Sequence, residues 1–317
     1  MTPLSFHLNL ALLTLLTFTS AAPFPLSPSP TPALKPRKTS PGYGTLSLTT
    51  TGPVIHAVID NPPINLWDYK LAHDFFSFLS SLNDTNTTTK VVTISSANPD
   101  YWIAHYDIHV IVAADPVKPP ANATLIGQQL ISSRTLLATL PVIFIAEING
   151  RVTGAGDEVA VQCDIRYAGP AARLSQFEVG FGLLPGAGGL QYLVKLIGRA
   201  RALEYILSSR SVDAVTAAAI GWVNKAFGSS EELGREVDSL AQRIAAFPQQ
   251  ALAAIKARVN VQRPSEVDLD EDLELFNQLV DTDVAQAAGQ KYLRLSGEES
   301  GGAFELDVPD DIVQISS

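Results

Sequence analysis

The sequence predicts an α/β layered domain followed by a helical block, and three observations carry that reading. Short apolar runs of strand length alternate with amphipathic stretches at helical spacing from Tyr43 to about Phe227. Beyond Phe227 the strand signal stops and amphipathic helices follow one another. Two glycine clusters, Gly154-Ala155-Gly156 and the turn "PGAGG" from Pro185 to Gly189, sit where helices should begin.

Taken in order, "LNLALLTLLTF" (Leu8 to Phe18) is an apolar run of signal-peptide length, too short to cross a bilayer, and "TSAAP" supplies small residues for cleavage after Ala21 or Ala22. Residues 1–21 are therefore expected to direct the chain to a secreted or secretory-pathway location without stable membrane insertion. Residues 22–42 are Pro/Ser-rich, an extended linker with "KPRK" inside it. "GTLSLTTTGPVIHAVID" predicts two strands around a Thr-Gly-Pro turn, and Leu66 to Leu82 predicts a helix. "KVVTISS" and "PVIFIAEI" read as buried strands, the second apolar on both faces as parallel strands are, with a helix over "TLIGQQLISSRTLLATL" between them. The α/β core is expected over 43–238, a C-terminal helical region over 239–296, and an acidic flexible tail over 297–317.

Composition narrows the function classes. The chain has 317 residues, 46% of them hydrophobic, enough to bury a sizeable core. Its net charge of −10 and pI near 4.9 leave no basic stripe for phosphate backbones, which argues against nucleic acid and, more weakly, against anionic membranes. The single cysteine, Cys163, lies in an apolar run, cannot close an internal disulfide, and is expected as a small buried core residue. The five histidines lie far apart with no H-x-x-x-H spacing, so no metal is expected. N-glycosylation sequons stand at Asn83, Asn86 and Asn122.

The chemistry concentrates between Asn149 and Gly189. Small residues at Gly154, Ala155 and Gly156 let a ligand approach main-chain N–H groups that are unpaired at a helix start. Those amides and the helix dipole favour a developing oxyanion, and one such preorganised donor is worth roughly 3 to 4 kcal/mol in a transition state. Glu158 follows about one helical turn later, and Glu178 arrives from a separate segment ahead of "LLPGAGG". Two carboxylates beside one carbonyl can hold a water or move a proton at the α-carbon. Spacing alone is weak support, because a glutamate on a helix is usually only solvated. Asp157, beside Glu158, is expected to point outward and stabilise the helix start.

Several motifs in order give this pattern context. "DNPPIN" (Asp60 to Asn65), "WIAHYDI" (Trp102 to Ile108), "INGRVTGAGDEVAVQCDIRYA" and "FEVGFGLLPGAGGLQYLVKLIG" together resemble the crotonase (enoyl-CoA hydratase/isomerase) superfamily over most of residues 43–296. The resemblance implies a spiral of ββα units with a C-terminal helical trimerisation region, and so a homotrimer or hexamer. It also implies an oxyanion hole for an acyl-thioester enolate, built from the N–H groups of Tyr106 and Ala155, with Glu158 and Glu178 in both acid/base positions of the hydratases. One glutamate would activate water for the β-carbon and the other deliver a proton at the α-carbon. The dienoyl isomerase type carries an aspartate where this chain has Gly186, which speaks against that subclass. No cofactor is implied beyond CoA as part of a small acyl or carbonyl substrate.

The departures from the family pattern fall on one loop. The family's A-G-A-D is here Ala104-His105-Tyr106-Asp107, so a histidine replaces a permissive glycine and a bulky ring stands beside the carbonyl site. His105 is a bystander in a loop or an added acid/base group; with Asp107, Gly154 and Gly156 it completes the candidate pocket. His109 and Asp68 stand where relatives place or would use cations, a poor arrangement for 3′-phospho-ADP. Alternatives of substrate and class stay open at this stage. The same enolate chemistry suits a secretory-pathway tailoring enzyme that dehydrates, isomerises or cyclises a non-CoA carbonyl compound in natural-product biosynthesis, and a non-catalytic secreted scaffold is the reading from another class.

Overall fold

The computed structural model describes residues 38–40, 42–84, 88–112 and 122–316. The apolar Leu8–Phe18 run, most of the Pro/Ser-rich stretch and the Asn86 sequon lie outside the described residues.

Strands come in pairs that feed two sheets. β1 (Lys38–Ser40), β2 (Leu46–Thr51) and β3 (Val54–Ile59) form an antiparallel meander, with Gly52 at φ +60° supplying the tight turn between β2 and β3. After α1 (Tyr69–Ser81), β4 (Val91–Ser96) pairs parallel to β3, and β5 (Tyr101–Ile103) leaves for the second sheet. The same step recurs after the short α2 (Ile108–Ile111) and the long α3 (Ala123–Thr139). There β6 (Ile143–Ile148) joins the first sheet and β7 (Arg151–Thr153) the second. Past α4 (Ala155–Ala160) it recurs once more with β8 (Ile165–Ala168) and β9 (Arg173–Ser175). Then come α5 (Gly189–Ile197), α6 (Arg199–Ser208), β10 (Val212–Asp213), α7 (Ala214–Ile220) and β11 (Lys225–Ala226). The sheets run β1-β2-β3-β4-β6-β8-β11 and β10-β9-β7-β5, so each turn of the chain gives one strand to each sheet and then a helix. That is the expected spiral of ββα units.

The core explains the apolar runs. Leu71, Phe75, Phe78 and Leu79 line one face of α1 and pack with Phe144, Ala146 and Ile148 of β6. Ile145, on the opposite face of β6, packs with Val54, Val91 and the helix α8 (Ser230–Ala245), so the first sheet is covered on both sides. The core boundary expected at residue 238 falls inside α8. Val237, Ala241 and Ala245 form one continuous stripe against the sheet, which carries the core to the end of that helix. Beyond it lie α9 (Gln249–Val259), α10 (Glu266–Val280) and α11 (Asp283–Ser296). Lys256 anchors α9: its buried ammonium donates to the carbonyls of Leu137 and Val142 and to Asp164 Oδ2 at 2.9 Å. Cys163 is buried, as expected of a core thiol.

The segment 297–317, expected as a loose acidic tail, contains α12 (Ala303–Asp311) and a 3-10 turn at Ile312–Gln314. Val308, Ile312 and Ile315 are buried against Phe177, Phe181 and Tyr292. Composition misled here because Glu299 and Glu305 are themselves buried and partnered. Among the described residues no helix is long and apolar enough to cross a membrane.

Candidate active site

Three segments converge on Gly154. It sits between β7 and α4 at φ +49°, a conformation that favours glycine, and its N–H donates to the Ser175 carbonyl of β9 at 3.0 Å. A methyl placed there would lie 3.2 Å from Glu178 Oε1, 3.4 Å from the Phe177 ring and 3.6 Å from His105 Cβ. Gly156, the next predicted glycine, is fixed by contact: a Cβ would stand 2.2 Å from the Ile103 carbonyl oxygen, so α4 presses directly on the end of β5. Ala155 is the first residue of α4, where N–H groups have no intrahelical partner.

The second amide is set by a bridge. Trp67 N–H donates to the His105 carbonyl at 2.7 Å, and Asp107 N–H donates to the Trp67 carbonyl at 3.3 Å. Trp67 thus holds the residues on both sides of Tyr106, and in such a parallel bridge the Tyr106 N–H turns away from Trp67. Asn65 organises the approach. From φ +53° its side-chain amide donates to the Tyr101 and Trp102 carbonyls, and its Oδ1 accepts the Asn61 N–H, which is the structural work of the "DNPPIN" motif. The Tyr106 ring leans onto α3, its hydroxyl 3.7 Å from where Gly127 would carry a Cβ.

Both glutamates are placed by backbone. Glu158 is buried, and its Oε1 accepts the N–H groups of Ala187 and Gly189 at 2.6 and 3.0 Å, from the "PGAGG" turn. Burial pushes its carboxyl up to about 7, against the pull of those two N–H groups and of Arg134. Glu178 opens a 3-10 turn (Glu178–Phe181), and its Oε2 is shut away from solvent without a partner among the described residues. Burial first, and the charge of Glu158 second, hold Glu178 well above the ordinary carboxylate range. The charge of Glu158 is thus felt at Glu178. With both carboxyls raised, one can keep its proton as an acid while the other serves as a base.

Asp157 does not point outward. It is fully buried, its Oδ1 accepting the Trp222 indole N–H at 2.9 Å and its Oδ2 the Gln176 amide at 2.8 Å. The first turn of α4 is enclosed, so no residue there faces water and the side chain takes partners inside the protein. Gln176 and Trp222 were not legible from sequence, lying 19 and 65 residues away with no motif to mark them.

His105 is buried and bonded through both ring nitrogens. Nδ1 lies 2.8 Å from the Tyr106 carbonyl, and Nε2 lies 2.7 Å from the Tyr292 hydroxyl and 3.3 Å from Glu305 Oε2. Burial alone would lower its pKa, but the Glu305 hydrogen bond and the charges of Glu305 and Glu299 overcome that and raise it to about 9. Asp107 caps α2 by accepting the His109 N–H at 2.9 Å, and Asp68 caps α1 by accepting the Leu71 N–H at 2.9 Å. His109 carries carboxylates on both nitrogens, Glu299 and Glu298 each at 2.8 Å. Asp107, His109 and Glu299 bring ligand-type atoms within 4.8 Å of one another. With both His109 nitrogens facing carboxylates, the arrangement suits an imidazolium ion pair better than a metal. Asn83 and Asn122 are exposed.

The sequence profile described as enoyl-CoA hydratase/isomerase matches residues 49–295. The chain belongs to this family. A Streptomyces avermitilis crystal structure assigned as an enoyl-CoA hydratase superposes with a TM-score of 0.76 at 34% identity, covering 86% of this chain and 98% of that one. Pseudomonas aeruginosa DspI superposes with a TM-score of 0.64 at 28% identity over 80% of this chain and 95% of that one. The Clostridium acetobutylicum short-chain-enoyl-CoA hydratase is 36% identical over 187 residues, 59% of this chain and 69% of that protein. A probable enoyl-CoA hydratase, mitochondrial, of Dictyostelium discoideum is 40% identical over 116 residues, 37% of this chain but 42% of that protein, so the match spans under half of that relative. In this chain the carboxylates that answer His105 lie past the matched region, at Glu299 and Glu305.

Proposed function

We propose that this protein is a hydratase-type enzyme that adds water across, or removes it from, an α,β-unsaturated acyl thioester such as an enoyl-CoA. The observation that carries the reading is the pair Glu158 and Glu178 beside the start of α4, both buried carboxyls raised above the ordinary carboxylate range. The substrate carbonyl sits against the N–H groups of Tyr106 and Ala155. As water adds at the β-carbon, negative charge moves to that oxygen, where fixed donors in a dry site lower the barrier most. One carboxylate takes the proton from water, and the other delivers a proton to the α-carbon. Glu158 is held through Oε1, which leaves Oε2 as its working oxygen, while the unpartnered Oε2 of Glu178 suits a carboxyl that trades a proton with substrate.

The test is absorbance loss with crotonyl-CoA, run beside CoA-free unsaturated acids and lactones. Turnover confined to the CoA-free compounds moves the substrate to a non-CoA carbonyl class, and no turnover of any of them overturns the reading. A homotrimer or hexamer is part of the proposal. Ile255, Val259 and Val267 stand 62%, 63% and 66% exposed on α9 and α10, apolar area that association would cover, and light scattering checks the state. We also propose secretory entry, on the strength of the apolar Leu8–Phe18 run and "TSAAP" alone. Sequencing of the mature N-terminus tests it, and a start at Met1 refutes it.

A further inference from the structure

His105 stands where the family pattern carries glycine, and its protonation can be read from its partners. The Tyr106 carbonyl only accepts, so Nδ1, 2.8 Å away, carries a proton. The Tyr292 hydroxyl donates to Glu305 Oε1 at 2.6 Å, so it offers a lone pair to Nε2 at 2.7 Å, and Nε2 carries a proton too. The ring is an imidazolium, 2% exposed, with Glu305 Oε2 at 3.3 Å and Glu299 Oε1 at 3.8 Å as its counter-charges.

The same groups bracket Tyr106. Nδ1–H of His105 holds the Tyr106 carbonyl, and Glu299 Oε1 accepts the Ile108 N–H at 2.9 Å on the far side. Both carboxylates belong to a segment seated by close fit: Ile312 fills the space where a Cβ of Gly180 would stand, 2.1 Å from its Cγ1. The histidine in the loop and the carboxylates beyond residue 295 are thus a matched set, each of which would be a buried, uncompensated charge without the other. We propose that His105, clamped as a cation by Glu299 and Glu305, is a positioning residue that holds the loop carrying the Tyr106 N–H, with Trp67 fixing the adjoining peptide, so that residues 297–315 are a working part of the site. This rests on the enolate reading for its consequence in catalysis, though the clamp itself does not.

The groups facing the ring are Tyr292 from α11, Glu299 and Glu305 from the C-terminal segment, and Glu178 across Phe177 from the 3-10 turn. The experiment compares wild type with Glu299→Gln, Glu305→Gln, His105→Gln and the His105→Gln/Glu305→Gln double variant. Nitrogen NMR of 15N-histidine protein should show His105 protonated on both nitrogens at pH 7.5, with its titration moving to lower pH in Glu305→Gln. Hydrogen exchange in residues 101–110 should quicken by roughly tenfold or more in Glu299→Gln and Glu305→Gln while β6 is unchanged. With crotonyl-CoA, kcat should fall about tenfold to a hundredfold with KM little changed, since a misdirected oxyanion donor is felt in the transition state. The double variant, with both charges gone, should recover part of the melting temperature lost in His105→Gln. A neutral ring in wild type, or loop exchange unmoved in both carboxylate variants, overturns the proposal. If wild type turns over neither crotonyl-CoA nor the CoA-free compounds, the hydratase reading falls, and ring protonation and loop exchange still decide the clamp.

Discussion

Replacing Asp157 by asparagine should make the protein more stable at alkaline pH, the reverse of what an outward-facing helix-start aspartate predicts. Burial, opposed by the hydrogen bonds from Trp222 and Gln176, raises the Asp157 carboxyl from 3.8 to about 7. The unfolded chain ionises first as pH rises, so the folded state holds the extra proton between those values and stability falls with pH across the window. At about 1.4 kcal/mol per pKa unit, the full loss is about 4 kcal/mol, of which about 2 kcal/mol falls between pH 5.5 and 8. Glu158, Glu299 and His105 act in the same direction, their folded values also being raised. Asparagine keeps an acceptor for the Trp222 indole, and Gln176 can turn its amide so that its unpartnered Oε1 accepts from the new Nδ2. Asp157→Asn should therefore gain up to about 4 kcal/mol over wild type at pH 8 and lose about 2 kcal/mol less than wild type between pH 5.5 and 8. The assay is urea unfolding at both pH values with protein concentration held fixed, because association shifts apparent stability. A variant less stable than wild type at pH 8, or one with an unchanged pH dependence, refutes the reasoning.

Other outcomes follow from the same geometry. Glu158→Gln and Glu178→Gln should each lower kcat on the turned-over substrate by about a hundredfold or more with circular dichroism unchanged, and retention of activity in both would remove the pair from the mechanism. The wild-type rate should be bell-shaped with both limbs above the ordinary carboxylate range, falling on the acid side as the base takes a proton and on the alkaline side as the acid loses one. Either Gln variant should erase one limb of whatever rate survives. Gly156→Ala places a methyl 2.2 Å from the Ile103 carbonyl oxygen, and the backbone shift should cost about 1–3 kcal/mol, read as a drop in melting temperature. Gly180→Ala should displace Ile312 and expose residues 303–315 to protease, measured as the rate of loss of the C-terminal fragment.

Much of the fold was legible because its signals are local. The alternation of "VIHAVI", "VVTISS" and "IFIAEI" with helical stretches foretold an α/β domain, with "IFIAEI" read as a parallel strand, whereas Gly156, expected to open main-chain N–H groups to a ligand, instead lets α4 pack on Ile103. The motif order brought Glu158, Glu178 and the 104–107 loop into one site on family resemblance, and at Gly154 the structure sets Glu178 and His105 3.2 and 3.6 Å from a single Cβ position. What escaped was set by distant pairing. Nothing around Asp157 announces Trp222 or Gln176, and nothing in "GEESGGAFELD" announces that two of its acids neutralise a histidine nearly two hundred residues earlier. Acidic, glycine-rich composition is a statement about average solvation, and it fails wherever individual charges find a buried counter-ion.

The seat of Ile312 on Gly180 has a bearing on synthesis and on handling. The cluster of Phe177, Phe181 and Tyr292 is closed only when codons past 312 have been translated, so on the proposed clamp a nascent chain holds Glu158 and Glu178 well before the loop around Tyr106 is supported. On the proposed clamp, a stop codon between the end of α11 and Ile312 would act as an active-site lesion despite sparing every residue of the family motifs, and a purification tag is better carried at the opposite terminus.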